Sequence, residues 1–277
     1  MKDCGAREFK DIVQYSLKAV LDLLIPRKCI VCEKSLGTTE KHLCRECLED
    51  LPHTYYWLRK FNPMADRFNA LIQEELERMS LDETHPYHEE YAYATALFFY
   101  RADSDYSHIS RQLKYHNNIP AGRLFGQMLG KKIASAEHFA DVDAVIPVPL
   151  HWTRKWSRGY NQAEVIAREV ATALEVDLRA DILERCRRTR TQTKLSIEGK
   201  AANVKGAFRV RPDIVQSSGS GTKKADASAI SDLKHLLIID DIFTTGSTAL
   251  ACYSALRDTF PPSVRISIAT LGFVGEA

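Results

Sequence analysis

The chain has 277 residues, 45% of them hydrophobic and 27% charged, with a formal net charge of +2. That composition can bury a sizeable core and excludes a disordered chain, a collagen-like repeat and a coiled coil, while so even a charge balance says little about partners. No apolar run reaches the roughly 18 residues that span a bilayer, and Asp3, Arg7, Glu8, Lys10 and Asp11 leave no room for a secretory leader, so a soluble cytoplasmic protein without a membrane span is expected.

Phe9, Ile12, Val13, Leu17, Val20, Leu21 and Leu24 recur at helical spacing, which predicts an amphipathic helix over 6–25 ended by Pro26. The chain holds seven cysteines, an odd number that disfavours a disulfide framework. Four of them form Cys29-Ile-Val-Cys32 and Cys44-Arg-Glu-Cys47, two CxxC pairs separated by eleven residues. Each turn aims two thiolates at one ion, so together they supply a closed tetrahedral set for structural Zn2+, with iron–sulfur ligation as the minor alternative. Gly37 is expected to make the tight turn of the knuckle. Cys4, Cys186 and Cys252 receive no role.

Between Glu74 and Glu90 seven acidic residues stand against one basic residue, and a helix is expected over 66–79 through Leu71, Ile72, Leu76 and Met79. The chain thus divides into 1–52 (helix and Cys4 module), 53–90 (linker with an acidic helical segment) and 91–277. From residue 91 strands and helices alternate: a strand over 91–100, helices over 104–115 and 121–136, a strand over 144–148, and a helix over 160–174. A polar, basic stretch follows at 185–211, then a loop rich in Ser, Gly, Lys and Ala at 212–234. The chain closes with a strand at 236–239, a helix at 246–259 and a strand at 264–271. This alternation predicts an α/β domain around a mostly parallel sheet.

The most informative run is His235-Leu-Leu-Ile-Ile-Asp-Asp-Ile-Phe-Thr-Thr-Gly-Ser-Thr248. An apolar strand ends in Asp240 and Asp241, a hydroxyl-rich turn follows, and a helix begins. Backbone N–H groups of Thr244, Thr245, Gly246, Ser247 and Thr248, with the helix N-terminus, can cradle a phosphate, and the two carboxylates can accept hydrogen bonds from a cis-diol such as a ribose. No Lys follows Gly246 and no GxGxxG is present, so this is neither a P-loop nor a dinucleotide fingerprint. Simple helix capping would explain the hydroxyls but not the adjacent carboxylates. Between Arg185 and Arg211 nine Lys or Arg face one acidic residue, Glu198, and Arg154, Lys155 and Arg158 add three more positives. Such clusters favour a polyanion, or form a solvated basic face.

The acidic-pair run resembles the phosphoribosyl diphosphate (PRPP) motif of type I phosphoribosyltransferases. Ile146-Pro-Val-Pro-Leu-His151, Arg158-Gly-Tyr-Asn-Gln162, Thr191-Gln-Thr-Lys-Leu195, Asn203-Val-Lys-Gly-Ala-Phe208 and Leu113-Lys-Tyr115 are similar to the ComF family, and the cysteine module with Leu51-Pro52 behind it is similar to that family's N-terminal zinc finger. The resemblance covers nearly the whole chain and departs from the family at Gly199-Lys200, where many members carry Glu-Arg, and in the length of 212–234. It implies a type I phosphoribosyltransferase-like domain, PRPP or a related phosphoribosyl compound bound with Mg2+, and a link to natural competence, with single-stranded DNA and the DNA-uptake machinery as partners. Thr244 to Thr248 would hold the 5-phosphate, and Pro149, His151 and Arg154 would form the diphosphate-side loop. Asp240, Asp241, Lys194 and Arg158 would carry pentosyl transfer to an acceptor that the sequence does not name, and Lys114 is expected to point into the site. A non-catalytic DNA-binding factor, with Trp152, Trp156 and Tyr160 stacking bases, and a PRPP-responsive regulator are the alternatives.

Overall fold

The computed structural model of the chain describes residues 26–79, 89–151, 153, 156, 158–186, 206–212 and 233–275. The predicted helix 6–25, most of the basic stretch and most of the 212–234 loop lie outside these residues.

Five strands make the central sheet: β1 (Ala94–Phe99), β2 (Ala144–Pro147), β3 (Asp177–Leu178), β6 (His235–Phe243) and β7 (Arg265–Phe273). Their order is β1-β7-β6-β2-β3 and every neighbouring pair is parallel. Parallel strands are covered on both faces, which is why they read as continuous apolar runs. Leu236 and Ile238 of β6 join the core on one face, and Leu237 and Ile239 join the core on the other.

The first face carries helix α2 (Pro63–Met79), helix α6 (Ser247–Arg257) and a short ribbon, β4 (Leu183–Arg185) with β5 (Phe208–Val210). The segment expected as a linker therefore contributes α2 to the core of the sheet: Met64, Phe68 and Ile72 are buried, and the Phe68 ring meets those of Phe243 and Tyr253. The helix starts three residues before the expected start at Asp66 because Pro63 suits the first turn and Asn62 Oδ1 accepts the Met64 and Ala65 N–H groups at 3.1 and 3.0 Å. The ribbon is antiparallel, pairing Leu183 with Val210 and Arg185 with Phe208, so the two ends of the basic stretch are strands where no strand was expected.

The second face carries α3 (Ser107–Tyr115), α4 (Ile119–Ala134), α5 (Gln162–Leu174) and the cysteine module with its short helix α1 (Arg45–Glu49). The chain behind the module also closes one edge of the sheet. Phe99 N–H donates to the Pro52 carbonyl at 2.8 Å and Thr54 N–H donates to the Leu97 carbonyl at 3.3 Å, so β1 is not left as a free edge. Among the described residues no peptide bond is cis, so Pro147 and Pro149 follow trans bonds. None of the described helices is long and apolar enough to cross a membrane.

Candidate functional site

The strands β2 and β6 are neighbours, yet the chain leaves β2 into α5 on the second face and leaves β6 into α6 on the first. This is the point in a parallel sheet where a crevice opens beyond the carboxyl ends of the strands. The loop Thr244–Thr248 after β6 and the residues Val148–His151 after β2 both lie at that edge.

At the β6 edge, Gly246 has φ +84 and immediately precedes α6. A Cβ there would stand 2.5 Å from Leu71 Cδ1 of α2 and 2.8 Å from Phe243 Cζ, so the turn requires glycine for its conformation and for its close approach. Thr245 Oγ1 lies 2.8 Å from Ser247 Oγ and accepts the Ser247 N–H at 3.4 Å. The N–H groups of Thr245, Gly246 and Thr248 donate to no acceptor among the described residues. The turn therefore offers spare donors at the N-terminus of an eleven-residue helix, which is what a phosphate needs.

The strand runs on to Phe243, so Asp240 and Asp241 sit within it and not at its last position. Side chains alternate along a strand, which sends Asp240 to the face of Leu236 and Ile238 and Asp241 to the face of Leu237 and Ile239. Asp241 N–H donates to Asp240 Oδ1 at 2.8 Å. Burial, and then the charge of Asp241, push the Asp240 carboxyl up to about 7. Asp241 instead meets Lys114 Nζ at 2.7 Å, with Ser110 Oγ at 3.4 Å from the same oxygen. Lys114 thus points into the site as expected.

At the β2 edge, His151 is buried with Nδ1 at 2.9 Å from Thr153 Oγ1, and Pro149 is half-buried. Arg158 hydrogen-bonds Gln162 Oε1 at 3.3 Å and its guanidinium lies 5.7 Å from the centre of the exposed Tyr115 ring. Arg154 and Lys194 lie outside the described residues. The sequence missed Ser110, Tyr160 and Gln162 as supports of the site. The last two stand inside a quoted motif, but the partner they share, the Leu113 carbonyl, is backbone and has no signature in the residue string.

The cysteine module is a second centre. The sulfurs of Cys29, Cys32, Cys44 and Cys47 all lie within 4.8 Å of one another, and Cys32 and Cys44 are 3.7 Å apart. A tetrahedral zinc with bonds of about 2.3 Å spaces its sulfurs about 3.8 Å apart, so the four thiols fit structural Zn2+ and leave no open position for catalysis. Burial would raise the Cys29 thiol, but the N–H groups of Cys32, Cys44 and Val31 directed at its sulfur hold it down at about 7. The left-handed residue of the knuckle is Glu33, with φ +60, and not Gly37, whose N–H is taken by Glu40 Oε2 at 2.7 Å. The donor set at the β6 edge is of another kind, carboxylate oxygens beside backbone N–H groups, and offers no thiolate.

Residues 20–56 match the double zinc ribbon domain. The chain is 28% identical over 150 residues to "Competence protein F" of Haemophilus influenzae, across 53% of this chain and 59% of that protein. It is 27% identical over 145 residues to "DNA utilization protein YhgH" of Shigella flexneri, across 51% and 56%, and 28% identical over 152 residues to the protein of the same name in Salmonella typhimurium, across 52% and 60%. The match spans less than two thirds of the length of each of these relatives. Taken with the zinc ribbon and the ordered motifs of the α/β domain, these similarities support a ComF-family assignment for the chain.

Proposed function

We propose that the chain binds PRPP or a related phosphoribosyl compound with Mg2+ at the β6 edge, and that it serves DNA uptake or use. The observation that carries this reading is the turn Thr244–Thr248, whose unspent N–H groups stand beside Asp240 and Asp241 at the switch point of the sheet. In this reading the turn holds the 5-phosphate, the acidic pair orients the ribose hydroxyls, and Arg158 faces the diphosphate. Bound Mg2+ would neutralise charge on that diphosphate. As an enzyme, the site would let a nitrogen nucleophile displace diphosphate at the anomeric carbon. Arg154 and Lys194 enter this account through the family resemblance alone. The names of the relatives, a competence protein and DNA utilization proteins, support the link to DNA.

The test is calorimetric titration of PRPP with Mg2+ into the wild type and into Asp240→Asn, Asp241→Asn. Binding to the wild type that is lost in the folded double variant is the expected result. A wild type that does not bind overturns the reading.

Trp156 favours a second reading. Its side chain is 88% exposed in a segment that also carries Arg154, Lys155 and Arg158, an arrangement suited to stacking the bases of a single strand while cations track the backbone. Binding of an oligonucleotide that falls steeply with salt and weakens in Trp156→Ala is expected if the surface works so.

A further inference from the structure

The acidic strand already holds a cation that belongs to the chain. Lys114 Nζ lies 2.7 Å from Asp241 Oδ2, with 29% of the lysine side chain and 15% of the aspartate exposed. Burial works against the ammonium, but the charge and hydrogen bond of Asp241 hold Lys114 above the ordinary lysine range. The contact is a charge-assisted hydrogen bond largely withdrawn from water and salt.

The end of α3 sets the lysine in place. Leu113 is the third-last residue of the helix, so its carbonyl is one of the last four that lack an intrahelical partner. Tyr160 Oη donates to it, and Gln162 Nε2 donates to it at 3.1 Å. Between these two, Asn161 is fixed by the Val148 carbonyl at 3.0 Å and caps α5. The two motifs Leu113–Tyr115 and Arg158–Gln162, far apart in the chain, are therefore one unit whose output is the position of Nζ.

We propose that Lys114 is the internal counter-ion of the acidic strand, displaced from Asp241 by a divalent cation when ligand enters, with Tyr160 and Gln162 as positioning residues. This rests on the phosphoribosyl reading of the edge only for the identity of the incoming cation. No covalent bond changes. The ion pair opens, and the released ammonium stays tethered through Leu113 beside an anion that arrives with the metal, so the charge of the site remains balanced.

Mn2+ is the probe, titrated without PRPP into the zinc-loaded full chain with free Mn2+ read by electron paramagnetic resonance. Lys114→Met is expected to bind at least about tenfold more tightly than the wild type, since the competing charge at contact distance is gone. Lys114→Arg, which keeps the cation, should bind like the wild type. Tyr160→Phe with Gln162→Leu should fall between, because the lysine is present but loosely held. Adding Asp241→Asn to Lys114→Met should cancel the gain. Equal affinity in the wild type and Lys114→Met overturns the proposal, as does a gain that survives Asp241→Asn. Zinc content and melting temperature identify a misfolded variant, and Lys114→Gln then answers the same question. A wild type that fails to bind PRPP beside a Lys114→Met gain in Mn2+ affinity would sink the phosphoribosyl reading and leave the counter-ion standing.

Discussion

Asp240 and Asp241 are adjacent in the chain but live in different surroundings, and the difference has a measurable cost. Asp241 has an ammonium at contact distance, whereas half-buried Asp240 lies beside another carboxylate, and desolvation followed by that charge pushes its carboxyl up to about 7. A carboxyl whose folded pKa exceeds its ordinary value binds protons more tightly in the fold than in the unfolded chain. Its ionisation therefore removes stability as pH rises through that interval, and the deficit is complete above about pH 7. Asparagine keeps the oxygen that accepts the Asp241 N–H and carries no charge. Asp240→Asn should accordingly melt at a higher temperature than the wild type at pH 8, by about 3 °C, with the advantage shrinking toward pH 4. Thermal melts of both proteins across that range check it, and a variant that is less stable at pH 8 would show that the carboxylate is better accommodated than its burial indicates. Stability gained at the expense of binding is the usual signature of a residue kept for function.

At the scale of elements, the contact between α4 and α5 decides how closely the second face can be built. Gly122, Gly126 and Gly130 recur four apart along α4. A Cβ at Gly126 would stand 3.0 Å from Glu169 Cβ and 3.1 Å from the Ile166 Cα, and one at Gly130 would stand 2.8 Å from Ala173 Cβ. Alanine in a helix interior ordinarily gains about 1 kcal/mol over glycine. Here the added methyl meets backbone that belongs to another helix, and overpacking of that kind costs about 1–3 kcal/mol. Gly126→Ala should therefore lower the unfolding free energy in urea by about 1 kcal/mol net, and a gain would mean that the helices have slack. The helical period showed α4 in the sequence, but its glycines spoke only of weak propensity, since the neighbour that demands them lies some forty residues on. The same limit explains the other gaps. The strands of the main sheet that run four residues or longer were readable, because burial on both faces makes them apolar runs. β3, β4 and β5 are two or three residues each, too short for a period, and β4 finds β5 across more than twenty residues. The acids and hydroxyls of the β6 edge were spelled in one run, whereas the splitting of the acidic pair between two faces follows from strand length, which Ile242 and Phe243 extend past the expected end.

Across the whole molecule, the zinc ribbon and the candidate site are joined through α3. The ribbon's Val31, Leu36 and Leu43 share a core with Ile109 and Leu113 of that helix and with Leu97 of β1. Tyr106 Oη donates to the Cys47 carbonyl at 3.2 Å, and a ring nitrogen of His108 lies 3.3 Å from the Val31 carbonyl. The ribbon thus holds the start of α3, while Tyr160 and Gln162 hold its end at Leu113, beside Lys114. A structural zinc contributes its binding free energy to the fold around it, and without the ion four thiols offer too small a core to keep that shape. Cys44→Ser with Cys47→Ser should therefore lower the melting temperature by about 5 °C or more and speed hydrogen exchange in α3 at least about tenfold. Exchange in α6, which packs on the opposite face of the sheet, should change far less. Equal loosening of both helices would mean that zinc governs the whole sheet, and unchanged exchange in α3 would make the ribbon an independent appendage. Selective loosening of α3 is the outcome that the two anchors of this helix require, and it would tie the metal centre to the position of Lys114 without any direct contact between the two sites.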